Sequence, residues 1–384
     1  MDDSHRCSWR APGRINLIGE HTDYNEGFVL PIAIAQGCVA GARRDRDSAA
    51  ITIESAQRHG PVRIEPDELV PGRAWLSGED GWAGYAAGVA WALARAGLLP
   101  EPPTGVRISL DSDVPAGGGL SSSAALGCSV AGALTELLEL DVDRRQLAEL
   151  ARVAESEFVG APTGGMDQLA SMLCTPGHAL LCDMRSLQTD PVPLDLAAAG
   201  LSLLVVDTRA EHRNADGEYQ NRRAECEQAA RELGVAALRD ATEADLDRLG
   251  RSDRPDASLL RRRARHVVTE NRRVQEAAAL LRDGDLVSLG ELFTASHTSM
   301  RDDFEITVPE VDTAVEALMA AGAVGARMTG GGFGGCVIGL APGERVGSAS
   351  ERVRAAFDRH GFTEPATFQA RPSAGAGPWP PAAP

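Results

Sequence analysis

The chain contains no lysine. All 38 of its basic residues are arginine, set against 55 Asp and Glu in 384 residues, for a formal net charge of −17 at pH 7. That absence removes several chemistries together, since no lysine can form a Schiff base or act as a general base. It also excludes the P-loop, whose Gly-x-x-x-x-Gly-Lys-Ser/Thr run needs the ammonium group, and the strand lysine of protein kinases. A phosphate handled here must meet arginine, backbone N–H groups, a helix N-terminus or a metal ion. Aromatic residues are scarce, at 4%, which argues against a stacking platform for single-stranded nucleic acid. The acidic balance argues likewise against nucleic acid or an anionic membrane as the main partner. No Cys-x-x-Cys pair occurs among the seven cysteines, so neither a zinc ribbon nor a disulfide framework is indicated. The first residues lack the basic-then-apolar order of a signal peptide. The longest mostly apolar run, 196–206, is too short to span a bilayer. A cytoplasmic protein is expected.

What is present has a clear texture. Length gives a soft expectation of two domains, and the pattern changes near residue 200. Short β-branched runs at 28–34, 38–42, 51–53, 62–64 and 106–110 predict strands. Helical spacing predicts helices over 81–96, 122–138, 144–158 and 166–173. Apolar strands are expected at 179–182 and 201–206. Charged helical stretches follow at 215–233, 259–281 and 286–299. Pro309 opens another helix, at the position where its missing N–H costs nothing. Strands at 326–329 and 336–340 bracket a glycine run, before a helix at 344–359 and a strand at 367–370. The Gly-, Pro- and Ala-rich end, residues 376–384, is expected to be a disordered tail.

Four segments could carry chemistry. The first is the run Pro-Ala-Gly-Gly-Gly-Leu-Ser-Ser-Ser-Ala-Ala at 115–125, between a strand and a helix. Its glycines let the backbone approach a ligand, and the helix start offers unpaired N–H groups and a positive dipole end. It reads either as an anion site or as a glycine turn with a serine N-cap; Gly-x-Ser-x-Gly of the serine hydrolases is absent. The second, residues 14–25, crowds Glu20, His21 and Asp23 into four positions, an acceptor density suited to a ligand rich in hydroxyls, or to a solvated loop. The third places Asp167 after two glycines at the start of a helix, where the dipole favours a carboxylate whatever its role; Glu155 read alone is a surface helix residue. The fourth contains Gly-x-Gly-x-x-Gly at Gly330, Gly332 and Gly335. It leads into a strand rather than a helix, so the dinucleotide fingerprint fails on context. A tight hairpin or a backbone loop near a ligand remains.

Taken together these segments resemble the GHMP family of small-molecule kinases, in its galactokinase branch. Residues 13–25, Gly-Arg-Ile-Asn-Leu-Ile-Gly-Glu-His-Thr-Asp-Tyr-Asn, look like that branch's signature, 115–125 like the family's phosphate loop, and 325–336 like its glycine-rich third motif. The likeness runs from about residue 10 to 375. It implies an α+β, two-domain GHMP kinase fold, with a ribosomal-S5-like N-terminal domain (1–200) and a ferredoxin-like C-terminal domain (201–375). It implies ATP-dependent phosphorylation of the anomeric hydroxyl of α-D-galactose with Mg2+, the first committed step of Leloir galactose catabolism, with no obligate protein partner. A kinase for a related sugar such as N-acetylgalactosamine is the alternative, and a non-catalytic sensor of galactose and ATP a weaker one, since Ser123-Ala124 is retained. By position, Asp167 matches the catalytic aspartate and Arg14 the arginine paired with it. Glu20, His21, Asp23, Gly164 and Tyr219 match sugar contacts. Trp82 matches a residue beside the adenine, Gly117, Gly118, Gly119, Leu120, Ser121, Ser122 and Ser123 the phosphate loop, and Ser123 with Glu155 the metal ligands. The chain departs from the family pattern at Thr163, usually Cys, and Gly165, usually Ile.

Overall fold

The computed structural model describes residues 6–115, 118–161, 163–210 and 215–380. In chain order its first half comprises β1 (Arg6–Asn16), β2 (Phe28–Val29), β3 (Pro31–Arg44), β4 (Ile51–Ser55), β5 (Val62–Ile64), α1 (Gly84–Arg95), β6 (Val106–Ser112), α2 (Ser122–Leu137), α3 (Arg144–Val153), α4 (Met166–Leu173), β7 (His178–Asp183) and β8 (Gln188–Pro193). The second comprises β9 (Leu201–Asp207), α5 (Ala215–Leu233), α6 (Glu243–Gly250), α7 (Ala257–Asp283), α8 (Leu286–Ser299), α9 (Pro309–Ala320), β10 (Gly325–Thr329), β11 (Cys336–Pro342), α10 (Val346–His360), β12 (Ala366–Ala370) and β13 (Gly377–Pro378). No helix among the described residues is long and apolar enough to cross a membrane.

Three sheets result. A six-stranded sheet runs β13-β1-β3-β6-β4-β5, with β4 and β6 parallel and its other neighbours antiparallel. A four-stranded antiparallel sheet runs β10-β11-β9-β12, and β2-β7-β8 form a small third sheet. Alternation along β9 explains how the halves join. Leu203 and Val205 point into the core beneath the first sheet, while Leu204 and Val206 point into a second core with α9, α10 and α5. Side chains alternate between faces of a strand, so a strand buried on both faces reads as an unbroken apolar run. Each fully buried Val or Leu contributes roughly 1.5–3 kcal/mol. The four-stranded sheet is thus the wall shared by both cores.

Local signals set the elements that matter most. Asp143 caps α3, its carboxylate accepting from the N–H groups of Arg145 at 2.8 Å and Gln146 at 2.9 Å, while Gln146 returns a bond to the Asp143 N–H. This reciprocal pair satisfies helix-start donors that have no intrahelical partner. After Val153 the ladder widens into a π turn over Ala154–Val159, so the single helix expected at 144–158 is α3 followed by that turn. Gly165 stands before α4 with φ +94°, a conformation glycine adopts without strain.

The expected disordered tail is corrected in part. Residues 377–378 form β13 on the edge of β1, opposite Trp9 and Arg10. Ala376 is fully buried, and the Trp379 N–H donates to Ser8 O at 2.7 Å. A proline-rich end suggests disorder by composition, yet an edge position tolerates proline because it leaves no ladder bond unmade. Residues 381–384 lie outside the described residues. All seven cysteines are buried and unbridged, and burial pushes every thiol above its ordinary range.

Candidate active site

Two clefts meet between the halves. The first, about 420 Å³, is lined by Glu20, His21, Asp23, Tyr85, Glu155 and Thr163 among others. The second, about 430 Å³, is lined by Pro115, residues 119–123 and the glycines of the β10–β11 loop. Arg14, Asp167, Tyr219 and Gly331 line both.

Arg14 reaches this junction because β1 shifts register between Pro12 and Arg14. A bulge of this kind re-aims a side chain. Gly13 permits the close approach, since a Cβ there would lie 2.7 Å from Leu120 O. The Arg14 N–H donates to Leu120 O at 3.1 Å and its Nη1 to Gly119 O. Its Nε and Nη2 donate to Asp167 Oδ1 and Oδ2, each at 2.9 Å. The closest nitrogen–oxygen approach of this ion pair is 2.7 Å. Such two-pronged contact fixes orientation as well as charge. Asp167 sits in the first turn of α4, where the helix dipole favours its carboxylate.

The phosphate-loop candidates gather at the start of α2. Gly119 has φ +71°, and a Cβ on Gly118 would lie 3.4 Å from Cys336 Sγ. Ser121 caps α2 but makes no side-chain cap bond; its hydroxyl donates to Asp167 Oδ2 instead. Among the described residues no side-chain cap from Ser121 engages the first N–H groups of α2, and a helix start of this kind can take an anion. The expected loop member Gly117 lies outside the described residues. Ser123 donates its hydroxyl to Glu155 Oε1 at 2.9 Å, and Gln168 Nε2 donates to Glu155 Oε2 at 2.6 Å. Burial first, then the Asp167 charge, pushes the Glu155 carboxyl up to about 7. The π turn presents Glu155 inward, rather than to solvent as a lone helix residue would suggest. Trp82, on the turn before α1, lines neither cleft, whereas Tyr85 lines the first.

The polyol candidates stand opposite. His21 is a non-glycine residue at φ +60°. Its Nε2 lies 3.0 Å from Gly331 O and its Nδ1 2.7 Å from the Tyr24 hydroxyl. A carbonyl can only accept, so Nε2 carries the hydrogen and Nδ1 accepts from Tyr24. Burial, then the nearby His266, lowers the imidazole to about 3, so the ring is neutral. Asp23 touches Gly164 so closely that a Cβ on that glycine would overlap its carboxylate. Burial, then the Asp167 charge, raises Asp23 to about 6. The Tyr219 ring lies tilted against that of His21, centroids 5.0 Å apart, and burial holds its phenol well above the usual range.

Glu20 is almost wholly buried and heavily partnered. Oε1 accepts from the Gly330 N–H at 3.1 Å and from the Thr329 hydroxyl at 3.3 Å, and Oε2 accepts from Arg327 Nη2. Burial pushes its carboxyl up, opposed by the Arg327 charge. Arg327 is fully buried and also donates to Leu17 O at 2.7 Å. The same Nη2 that donates to Glu20 lies 3.6 Å from Glu270 Oε1. Glu270 accepts from the Gly19 N–H at 3.0 Å and from Ser296 and Arg273 at 2.6 and 2.7 Å.

Comparison with known proteins bears on this arrangement. Residues 84–175 match the family described as GHMP kinases N terminal domain, residues 277–359 GHMP kinases C terminal, and residues 2–44 the galactokinase galactose-binding signature. Galactokinase of Streptomyces coelicolor is 48% identical over 373 residues, covering 96% of this chain and 93% of that protein. Galactokinase of Mycobacterium bovis is 48% identical over 370 residues, covering 96% and 98%. The chain belongs to the galactokinase family of GHMP kinases.

The crystal structure of Lactococcus lactis galactokinase complexed with galactose superposes with a TM-score of 0.90 at 31% identity, over 98% of this chain and 96% of that one. Methanococcus jannaschii mevalonate kinase, at 17% identity and a TM-score of 0.66, shares the fold. The α+β GHMP kinase fold expected from the motifs is the one found. Within this galactokinase-family site, sequence reasoning missed Tyr85, Arg327, Glu270 and His266. Tyr85 stood in the predicted first helix, three residues beyond Trp82. Arg327 lay inside the third motif without being singled out, and Glu270 and His266 carried no local signal, because the partners of all three lie about 250 to 310 positions away.

Proposed function

We propose that this protein transfers the γ-phosphoryl group of ATP to the anomeric hydroxyl of α-D-galactose, giving galactose 1-phosphate and ADP. One observation carries the reading: an acceptor-rich cleft and a cleft lined by the glycine-serine loop at the start of α2 share Arg14 and Asp167. A hydroxyl held in the first can face a phosphate held in the second across one carboxylate. The sugar hydroxyl's proton passes to Asp167, its oxygen forms the bond to the γ-phosphorus, and the bond to the bridging oxygen breaks as ADP departs. Because such transfer is loose, most of the catalysis is alignment and electrostatic stabilisation. Arg14 fixes the orientation of Asp167 and adds positive charge beside the transferring group. Glu20, Asp23 and Tyr219 hold sugar hydroxyls, with the neutral His21 bracing the loop against Gly331. Fixed partners of this kind reject an epimer by leaving buried groups unpaired, where volume alone could not.

Ser123 and Glu155 fit Mg2+. Their donors are hard oxygens, and among the described residues the buried Glu155 carboxyl forms no ion pair with an arginine, its hydrogen bonds coming from Ser123 and Gln168. Among the described residues no group of three or more His, Cys, Asp or Glu could hold a metal alone, which suits an ion completing its shell with phosphate oxygens and water. When bound, Mg2+ would neutralise phosphate charge. The acidic composition and unbridged cysteines support a cytoplasmic setting.

A panel of sugars with ATP and Mg2+, followed as ADP formation, tests the substrate. Galactose turnover is expected; turnover of N-acetylgalactosamine without galactose would replace this reading with that of its rival. Asp167→Asn is expected to bind sugar yet lose roughly 100- to 10,000-fold in kcat, and near-normal turnover would remove Asp167 from the base role.

A further inference from the structure

We propose that Ser121 is a positioning residue of the transfer centre, whose hydroxyl occupies Asp167 Oδ2 so that Oδ1 is the oxygen left to take the sugar's proton. The inference rests on the reading above that Asp167 is the base.

Two features of Ser121 are unfavourable by themselves. Its backbone is left-handed, with φ +59° and ψ +52°, a conformation that is costly for a residue bearing a Cβ and almost free for glycine. The loop is already rich in glycine, at Gly117, Gly118 and Gly119, so a fourth would have been the relaxed choice. Serine is also a favoured N-cap because its oxygen accepts from the helix's first N–H groups, yet this one caps nothing. Both features are explained by one contact, the hydroxyl's bond to Asp167 Oδ2.

The carboxylate's acceptor positions then divide unequally. Oδ2 receives Arg14 Nη2–H and the Ser121 hydroxyl, filling both its in-plane lone pairs. Among the described residues Oδ1 accepts a directed hydrogen bond from Arg14 Nε–H alone, although Nη2 also lies 2.7 Å from it, and keeps one lone pair for a further donor. Free rotation would exchange the two oxygens; Arg14 and Ser121 together prevent it. The same short stretch also holds Arg14, through Gly119 O and Leu120 O. Residues 119–121 thus fix both members of the Arg14–Asp167 pair, and the loop meant for phosphate sets the aim of the base.

Replacing Ser121 by Gly and by Ala separates hydroxyl from backbone. Ser121→Gly removes the hydroxyl and relieves the strain; Ser121→Ala removes the hydroxyl and keeps the strain. Both are expected to melt near wild type, Gly the higher of the two. Both should keep the KM values for galactose and ATP within about threefold while kcat falls roughly 10- to 100-fold, the range for a hydrogen bond to a charged group. A kcat within twofold of wild type in either variant overturns the proposal. So does a loss confined to the KM for ATP, which would make Ser121 a phosphate ligand. A normal Gly variant beside an impaired Ala variant would assign the effect to strain. Wild-type protein that phosphorylates no sugar fails the functional reading itself, and the role of Ser121 falls with it.

Discussion

Asp23 is held where its own charge is opposed. Burial and the neighbouring Asp167 raise its carboxyl to about 6, against about 3.9 for a free aspartate. The folded state therefore binds this proton more tightly than the unfolded one, and ionisation above pH 6 works against folding. The size is roughly 2–3 kcal/mol at neutral pH. Asp23→Asn is expected to raise the melting temperature at pH 7.5, with the gain shrinking as pH falls through 6 and vanishing near 4. The same variant should weaken galactose binding more than tenfold, which calorimetry would show. A variant no more stable than wild type at pH 7.5 would count against the opposed charge. Glu270 behaves in the opposite sense. Arg273 and Arg327 outweigh its burial and hold it near 2, so its contribution is present above the ordinary glutamate range and is lost as pH falls from there towards 2.

Between elements, Arg327 ties β10 to the loop of residues 17–20 and, past Glu270, to α7 and α8. Replacing it by Met would leave Glu20 and Glu270 buried without their shared cation. Removing one partner of a buried pair costs about 3–5 kcal/mol, so urea unfolding of Arg327→Met should show a loss of that order, with a raised KM for galactose. A loss below 1 kcal/mol would mean that the carboxylates find other partners. The sequence made much of this architecture legible, and the boundaries show why. α4, α5 and α8 begin and end at the residues expected of them. β8 was missed because Pro191 and Pro193 argue against a strand, although its edge position tolerates them. The short α6 was missed too, and the π turn after α3 leaves no mark in spacing. Around the clefts, the placement of Glu20, His21, Asp23 and the glycine-serine loop was legible because each group is contiguous in the sequence. Arg327, His266 and Glu270 read as ordinary helix or strand residues until the fold brings them against Glu20 and Gly19. The diversion of Ser121 from cap to carboxylate is likewise tertiary.

At the scale of the whole molecule, the last described residues return to the first half. The N–H groups of Gly375 and Ala376 donate to Cys174 O at 2.7 Å and Ser171 O at 2.8 Å, serving the carbonyl end of α4, where intrahelical donors run out. Ser373 donates to Ala33 O at 2.9 Å, and β13 lengthens the first sheet. Ending the chain after Arg371 should cost roughly 2–4 kcal/mol, counting these bonds at about 1 kcal/mol each. It should lower kcat as well, because α4 carries Asp167; scanning calorimetry and steady-state kinetics on the shortened chain would check both. An unchanged melting temperature would show the segment to be only draped on the surface. The buried thiols have a use beyond packing. A sulfhydryl sealed from solvent reacts with an alkylating agent only when its surroundings open, so labelling rates measure local opening free energies much as amide exchange does. Cys336 lies beside Gly118, Cys174 at the end of α4, and Cys226 in the second core. Mass spectrometry of pulse-labelled protein would therefore give separate clocks for the glycine-serine loop, the helix bearing Asp167 and the C-terminal half, with no reporter group introduced.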